Sequence, residues 1–572
     1  MTDITSLRPL AAVLVSAVAV APILASHGRP NVREAWTVLA AVLKLGIVAS
    51  MVPSVLDGDV YVTDLGPFVP YIDFALRADA LGILFALLAS TLWVVTSFYS
   101  IGYMRGLDED SQTRYFAAFA GSVSAAVGVA FASNLVVLYL FYELLTVATY
   151  PLVAHDETDE ARAAGRKYLA YTFGGGVAVL AGTLLVVYLT GTVGTATTAF
   201  TAGGIPALAE AANSEPMVAR LAFAFLATGF GVKAALMPLH SWLPDAMVAP
   251  TPVSGLLHAV AVVKSGVFGV ARVLLDVFGI DLVAELGVGG ALAAVAAFTL
   301  VTASVIALRQ DNLKRRLAFS TISQLSYIVL GVAVGGIAGP SEAAKWALIG
   351  GLLHIPAHAF MKLTLFFCAG AIHVETHTDN ISNMAGIGKR MPLTMGAFAV
   401  AAAGMAGIPL VAGFVSKYFL LIGTVSTGQL VFTGALLLSG ILNIAYFWPV
   451  VYTAFFETPE HSDEKPLVEA NLGGYFGREA RADGGHADAH DDNTGDGHTG
   501  DGHSGDAHDG HGHGGGWEVR APNGAESTWF MLAPILFAAT GSVVLGVVPD
   551  VAVFLQIVRE VAEAAVSMGV VA

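Results

Sequence analysis

Eight residues able to hold a proton stand inside stretches otherwise fit for lipid. Glu143 lies in LVVLYLFYELLTVATYP, about ten residues from either end of the span 134–154. That is too deep for a carboxylate to reach water by bending its own chain. Lys233 lies in LATGFGVKAALMPLHSWLP, with Pro238 five residues later, and Lys264 in LLHAVAVVKSGVFGV. His258 precedes Lys264 by six residues and falls on a different face at 100° per residue. It suits a packed core histidine as well as a proton carrier. His354, His358 and Lys362 share GLLHIPAHAFMKLTLFFCAG at spacing i, i+4, i+8. They form a file on one helix face, with about 6 Å between successive members. Lys417 lies in GMAGIPLVAGFVSKYFLL.

An ionisable side chain in a span is costly and is by default a functional-site hypothesis. Burial favours the neutral amine of a lysine, and a nearby carboxylate favours the ammonium. A buried lysine can therefore load and unload a proton as a carboxylate moves or titrates beside it. Histidine needs little tuning for the same work. The expected chemistry is a relay of Lys233, Lys264, His354, His358, Lys362 and Lys417, with His258 beside it, gated by Glu143. The bland alternative for Glu143 and Lys233 is a structural ion pair. Zinc on His354 and His358 is disfavoured, since lysine is a poor third ligand and the helix lacks a carboxylate. No metal and no cofactor is expected.

The elements that must position these groups are transmembrane helices. The chain has 572 residues, 55% hydrophobic and 13% charged, where soluble domains carry roughly 25% charged. A span needs about 20 apolar residues. The expectation is an all-α integral membrane protein of about fourteen spans, near 9–27, 36–53, 80–101, 115–131, 134–154, 168–190, 217–238, 252–275, 283–308, 317–337, 346–374, 392–420, 428–455 and 528–549. The stretch 9–25 imitates a signal peptide, but with a single flanking Arg8 it reads as the first span. Pro238 interrupts the seventh span; Gly404, Gly407, Pro409 and Gly413 interrupt the twelfth. If spans four to eight and nine to thirteen are two five-helix repeats, both broken helices are fourth in their repeat. Paired interruptions of this kind point to an inverted-repeat transporter. The divisions are then 1–113 (three helices), 114–276 and 283–456 (the repeats), 457–527 (a loop) and 528–572 (the last span and a tail). The tail carries Arg559, Glu560 and Glu563 at helical spacing, which suits a helix along the interface.

Lysine and arginine gather in the odd-to-even connections, among them Arg29, Arg33, Arg105, Arg114, Arg162, Lys314, Arg315, Arg316, Lys389 and Arg390. The positive-inside rule puts these loops in the cytoplasm and both termini outside, in a multi-pass protein of the cell membrane. The loop 457–527 falls on the cytoplasmic side. Seven histidines alternate there with Asp and Gly, a composition that builds no core and binds divalent metal loosely at best. The net charge of −16 resides mostly in loops and argues against nucleic acid as a partner. The single cysteine, Cys368, excludes an internal disulfide framework.

Four stretches carry a family resemblance: FYELLTVATYPLV, GVKAALMPLHSWLPDAMVAPTPVSGLLHAVAVVKSGVFGVARV, QDNLKRRLAFSTISQLSYIVLG and HAFMKLTLFFCAGAI. They resemble the antiporter-like subunits shared by respiratory complex I, Mrp-type cation/proton antiporters and membrane-bound hydrogenases, over roughly 75–455. The resemblance implies a fourteen-helix core with two inverted five-helix repeats. It matches Glu143 to the essential glutamate of the fifth helix and Lys233 to the lysine of the broken seventh. Lys264 or His258 matches the carrier of the eighth; His354, His358 and Lys362 match the file of the eleventh, and Lys417 the residue of the broken twelfth. One complex I paralogue has glutamate at that last place, so Lys417 argues against that assignment, and the resemblance is read as favouring the D-type subunit of an Mrp-type Na+/H+ antiporter. The implied partners are other membrane subunits, protons, Na+ and the lipid bilayer. The nearest rival is a proton-pumping, non-redox subunit of a complex I-like NADH/F420H2-quinone oxidoreductase or a hydrogenase. A carrier of organic solutes would show one central pocket, and a scaffold would not keep so many costly charges. In neither main reading is the chain itself an enzyme.

Overall fold

A computed structural model of the chain describes residues 2–458, 526–550 and 553–568. The core of the His-rich loop lies outside the described residues.

Eleven helices follow the expected spans in order: α1 (Arg8–Ala25), α2 (Pro30–Ala49), α3 (Ala80–Gly106), α4 (Gln112–Phe131), α5 (Leu135–Val153), α6 (Asp159–Thr192), α7 (Pro216–Lys233), α8 (Val262–Arg272), α9 (Val288–Ala307), α10 (Leu313–Ala338) and α11 (Glu342–Thr376). Then come α12 (Pro392–Ala406), α13 (Ala412–Ser426), α14 (Leu430–Phe456), α15 (Trp529–Val547) and α16 (Val553–Met568). Twelve helices among the described residues are long and apolar enough to cross a membrane. The expected spans 252–275 and 392–420 are instead assembled from shorter pieces. Local signals start the helices. Asn134, Thr158, Asn312 and Ser341 each accept a backbone N–H of the first turn, and Pro9, Pro30, Pro216 and Pro392 stand where a missing N–H costs nothing.

Both expected breaks are present. α7 stops at Lys233, Ala235 takes a φ of 55°, and the chain runs as turns to Trp242. Side chains satisfy the freed backbone: Met237 N donates to Thr299 Oγ1 at 3.0 Å, and Trp242 Nε1 donates to the Val232 carbonyl at 2.9 Å. The second break falls between α12 and α13, where Gly407 and Leu410 have φ of 88° and 75°. The eighth span holds two π turns, Leu256–Val260 and Val273–Val277, on either side of α8.

α10 and α11 form the centre. Their apolar stretches are wholly buried in the protein, as expected of helices apolar on every side. α11 packs on α10, α12, α13, α15 and α3. The outer helices show lipid their apolar faces, such as Val177 and Leu184 on α6 and Val431 and Ile441 on α14. Two features depart from a plain helical bundle. A three-stranded sheet joins β1 (Asp3–Thr5), ahead of α1, to β2 (Val60–Val69) and β3 (Ile72–Ala78), which lie between α2 and α3, with β1 parallel and β3 antiparallel to β2. And the apolar face of α16, including Leu555, Ile557 and Val558, is buried against α3 and α11, with Glu563 bridged to Lys345 at 2.9 Å. The tail helix thus covers the chain's own core.

Candidate functional site

Glu143 stands on α5 with both carboxylate oxygens buried and without a hydrogen-bond partner among the described residues. Its carboxylate presses on Gly176 of α6, where any side chain would occupy the same space. Lys233, the last residue of α7, is fully buried. Its ammonium meets Tyr142 rather than Glu143: it donates to the Tyr142 carbonyl at 2.5 Å and lies 3.4 Å from the centre of the Tyr142 ring. Glu143 and Lys233 are not within the 4.0 Å of an ion pair.

Lys264 crosses from α8 to α11. Its Nζ and His358 Nδ1 are 2.7 Å apart, and both residues are fully buried. One turn back, the His354 ring lies 6.1 Å from that of His358. His354 spans two further helices: Nδ1 pairs with Ser416 Oγ of α13 at 2.8 Å, and Nε2 with Gln324 Oε1 of α10 at 2.9 Å. Ser416 precedes Lys417, whose ammonium crosses the break to the Met405 carbonyl at the end of α12, at 2.5 Å. Lys264, His358, His354, Ser416 and Lys417 thereby form one lateral line through α8, α11 and α13. Lys362 leaves that line. It turns to α10, donating to the Leu317 carbonyl at 3.0 Å and to the Ser320 hydroxyl.

His258 corrects the even-turn arithmetic. The π turn that holds it shifts the helix register, and it too faces α11, its ring tilted 44° against that of Phe366 at 4.7 Å between ring centres. Both its ring nitrogens lack a partner among the described residues. Arg272, at the other end of α8, is tied to Asp79 and Asp276 at 2.6–2.7 Å and anchors that end.

On the side of the basic loops lies a cavity of about 740 Å³, lined in part by Glu109, Asp156, Asp245, Lys314 and Asp379. Burial, with help from Asp156, pushes the Glu109 carboxyl up. Acidic and basic side chains thus line a cavity beside α3, α6 and α10.

Residues 132–442 match the family described as NADH:quinone oxidoreductase/Mrp antiporter, TM. The chain belongs to that family. It is 35% identical over 393 residues to NADH-quinone oxidoreductase subunit N of Desulforudis audaxviator, covering 66% of this chain and 74% of that one. It is 33% identical over 433 residues to the putative antiporter subunit mnhA2 of Staphylococcus haemolyticus, covering 73% of this chain and 52% of the relative. The chain thus spans about half the length of that antiporter relative. Its fold matches a chain of the Mrp complex from a Dietzia species with a TM-score of 0.76, at 20% identity and 99% coverage of both. This family member is a multi-pass membrane protein.

Sequence reasoning missed Ser416, Gln324 and Ser320, which hold His354 and Lys362. Each is a polar residue at mid-span, and each lies within a helical turn or two of a residue already singled out or faces one. It also missed Lys44 on α2, fully buried, 3.4 Å from the Val123 carbonyl and 5.6 Å from the Trp93 ring centre. An intramembrane lysine is itself the signal; the apolar average of the span concealed it.

Proposed function

We propose that this chain is the proton-translocating subunit of a multisubunit Na+/H+ antiporter of the Mrp type, moving protons along the buried lysines and histidines. The observation that carries the reading is the succession of buried groups from Lys264 through His358, His354 and Ser416 to Lys417, hydrogen-bonded at Lys264–His358 and His354–Ser416 and 6.1 Å apart between the two histidine rings. Each contact can pass a proton or feel its neighbour's charge. Lys264 and His358 share one hydrogen position, so the pair takes one excess proton at a time. Ser416 pairs with His354 and also donates to the Ala412 and Gly413 carbonyls of its own helix, which fixes it beside Lys417. Glu143 and Lys233 form the other end. A proton on Glu143 removes the negative field at Lys233, which then releases its own proton. The cavity by Glu109 suits the cytoplasmic mouth, in keeping with the basic loops around it.

Lys417 speaks against the complex I paralogue that has glutamate at that place. The likeness to the staphylococcal antiporter relative supports the antiporter reading. The second reading, a proton-pumping subunit of a quinone-reducing complex, is favoured by the likeness to subunit N. In both readings the chain works among other membrane subunits, because it carries no energy-supplying chemistry of its own. Purification of the native assembly tests this. Small hydrophobic antiporter subunits are expected with the chain. Iron–sulfur subunits would establish the second reading, and a fully active single chain in liposomes would overturn both.

A further inference from the structure

Two connections on the side of the basic loops bring three side chains able to ligate a metal together. Glu109 stands between α3 and α4, and His155 and Asp156 follow the end of α5. A carboxylate oxygen of Glu109, a ring nitrogen of His155 and a carboxylate oxygen of Asp156 all lie within 4.8 Å of one another. Among the described residues this is the one place where three such ligands gather.

His155 makes this more than a pair of surface acids. It is 4% exposed, and its Nδ1 is buried without a hydrogen-bond partner among the described residues. A buried ring nitrogen is costly unless something fills its lone pair or takes its proton. The ring packs edge-on to Tyr115 at 5.7 Å between ring centres, and the His155 carbonyl accepts from Arg114 Nη2 at 2.8 Å. The imidazole is therefore held in place. Asp156 is exposed and Glu109 half-buried, so both carboxylates have room to turn toward it. The same two acids line the cavity of about 740 Å³, which has space for an ion and its water. Carboxylates so close repel one another, and a cation between them replaces repulsion with attraction. Neighbouring basic groups are engaged elsewhere. Arg114 pairs with Glu157, and Lys314 donates to the Ala249 carbonyl at 3.0 Å.

We propose that Glu109, His155 and Asp156 form a binding site for a divalent transition cation of the zinc class. The donor set selects the class. Imidazole with carboxylates suits zinc and its first-row neighbours, whereas magnesium and calcium take oxygen ligands. Bonds of about 2.0–2.2 Å to a tetrahedral ion place ligand atoms about 3.3 Å apart. The three atoms must close in from 4.8 Å, by about 1.5 Å at most. Rotation of Glu109 and Asp156 about their own side-chain bonds provides that movement. The fourth position is left to water. A bound ion would tie the connection between α3 and α4 to the end of α5, the helix that carries Glu143. Binding needs only these three side chains and does not depend on the relay reading.

The test is zinc binding by the full-length chain, purified without a histidine tag. The seven histidines of the tract 486–513 are changed to glutamine, so that the loop keeps its length and loses its own ligands. Equilibrium dialysis against zinc chloride, with bound zinc counted by mass spectrometry, should find one zinc per chain. Its X-ray absorption should show one imidazole nitrogen among oxygen ligands. Glu109→Gln, Asp156→Asn and His155→Gln should each weaken binding by more than about 10-fold, the least that follows from losing a group that merely supports a ligand. If His155→Gln fails to reach the membrane, the two carboxylate variants decide. A chain without stoichiometric zinc, variants that bind like their parent, or a spectrum with no imidazole or with several would each overturn the proposal.

Discussion

Lys264 Nζ and His358 Nδ1 stand 2.7 Å apart across the contact between α8 and α11, with no accessible surface on either residue. At that separation one nitrogen must donate and the other accept, so a lysine ammonium and a histidinium cannot coexist there. The pair is a one-proton device. Replacing His358 by Phe leaves Lys264 without its acceptor and should slow coupled transport by about 100-fold, the scale of a lost proton-transfer partner. Vesicle acidification followed with a pH-sensitive dye reads this. A rate within twofold of wild type would place His358 outside the relay.

Gly176 gives room to Glu143. A methyl group at Gly176 meets the carboxylate itself, the free end of a flexible side chain, and not the backbone. Gly176→Ala should therefore displace Glu143 and leave the helix standing. We expect a thermal midpoint close to wild type and transport as poor as in Glu143→Gln. Transport at the wild-type rate would show that the position of Glu143 does not matter.

Tyr142 takes the Lys233 ammonium, and Glu143 makes no ion pair with it. Breaking a contacting buried ion pair costs about 3–5 kcal/mol. A stability double-mutant cycle on Glu143→Gln and Lys233→Ala should give a smaller coupling energy, about 1 kcal/mol. In transport the two single losses should not add, since either one removes the switch. Additive transport defects would eliminate the gating mechanism.

Glu526, just before α15, reaches back to the start of α12. It accepts from Leu393 N at 3.0 Å and Thr394 N at 2.9 Å. Burial pushes its carboxyl up from the usual glutamate range, against the opposing pull of these N–H groups. A folded-state value above the unfolded one favours the fold at low pH, and the benefit is lost as pH rises through the folded-state value. The stability of wild type relative to Glu526→Gln should fall as pH climbs from about 4.5. Calorimetry across that window reads it, and a difference independent of pH would contradict it.

The intramembrane charges were legible because hydrocarbon tolerates them so poorly. The file His354, His358 and Lys362 follows from helical spacing alone, and the structure keeps the three on α11. Pro238 and the glycines near Pro409 likewise located both breaks. What stayed hidden had a local physical cause. Even helical arithmetic misplaced His258, because a π turn shifts register without any periodic mark. β2 was overlooked because Gly66, Pro67 and an exposed outer half leave it no clear alternation. Ser416, Ser320 and Gln324 were overlooked because hydroxyls and amides are common in spans, where they often bond their own helix; Ser416 does both. The departure of Lys362 from the lateral line could not be read from spacing, which gives the face of a helix but not the neighbour across from it.

The relay itself is tested most directly by coupled cation–proton exchange in sealed vesicles that hold the intact assembly, with Lys264→Ala and Lys417→Ala each compared with wild type. Each substitution removes an amine whose burial is unfavourable, so insertion and thermal stability should hold. Coupled transport should be abolished in both variants. Wild-type rates in both would contradict the account.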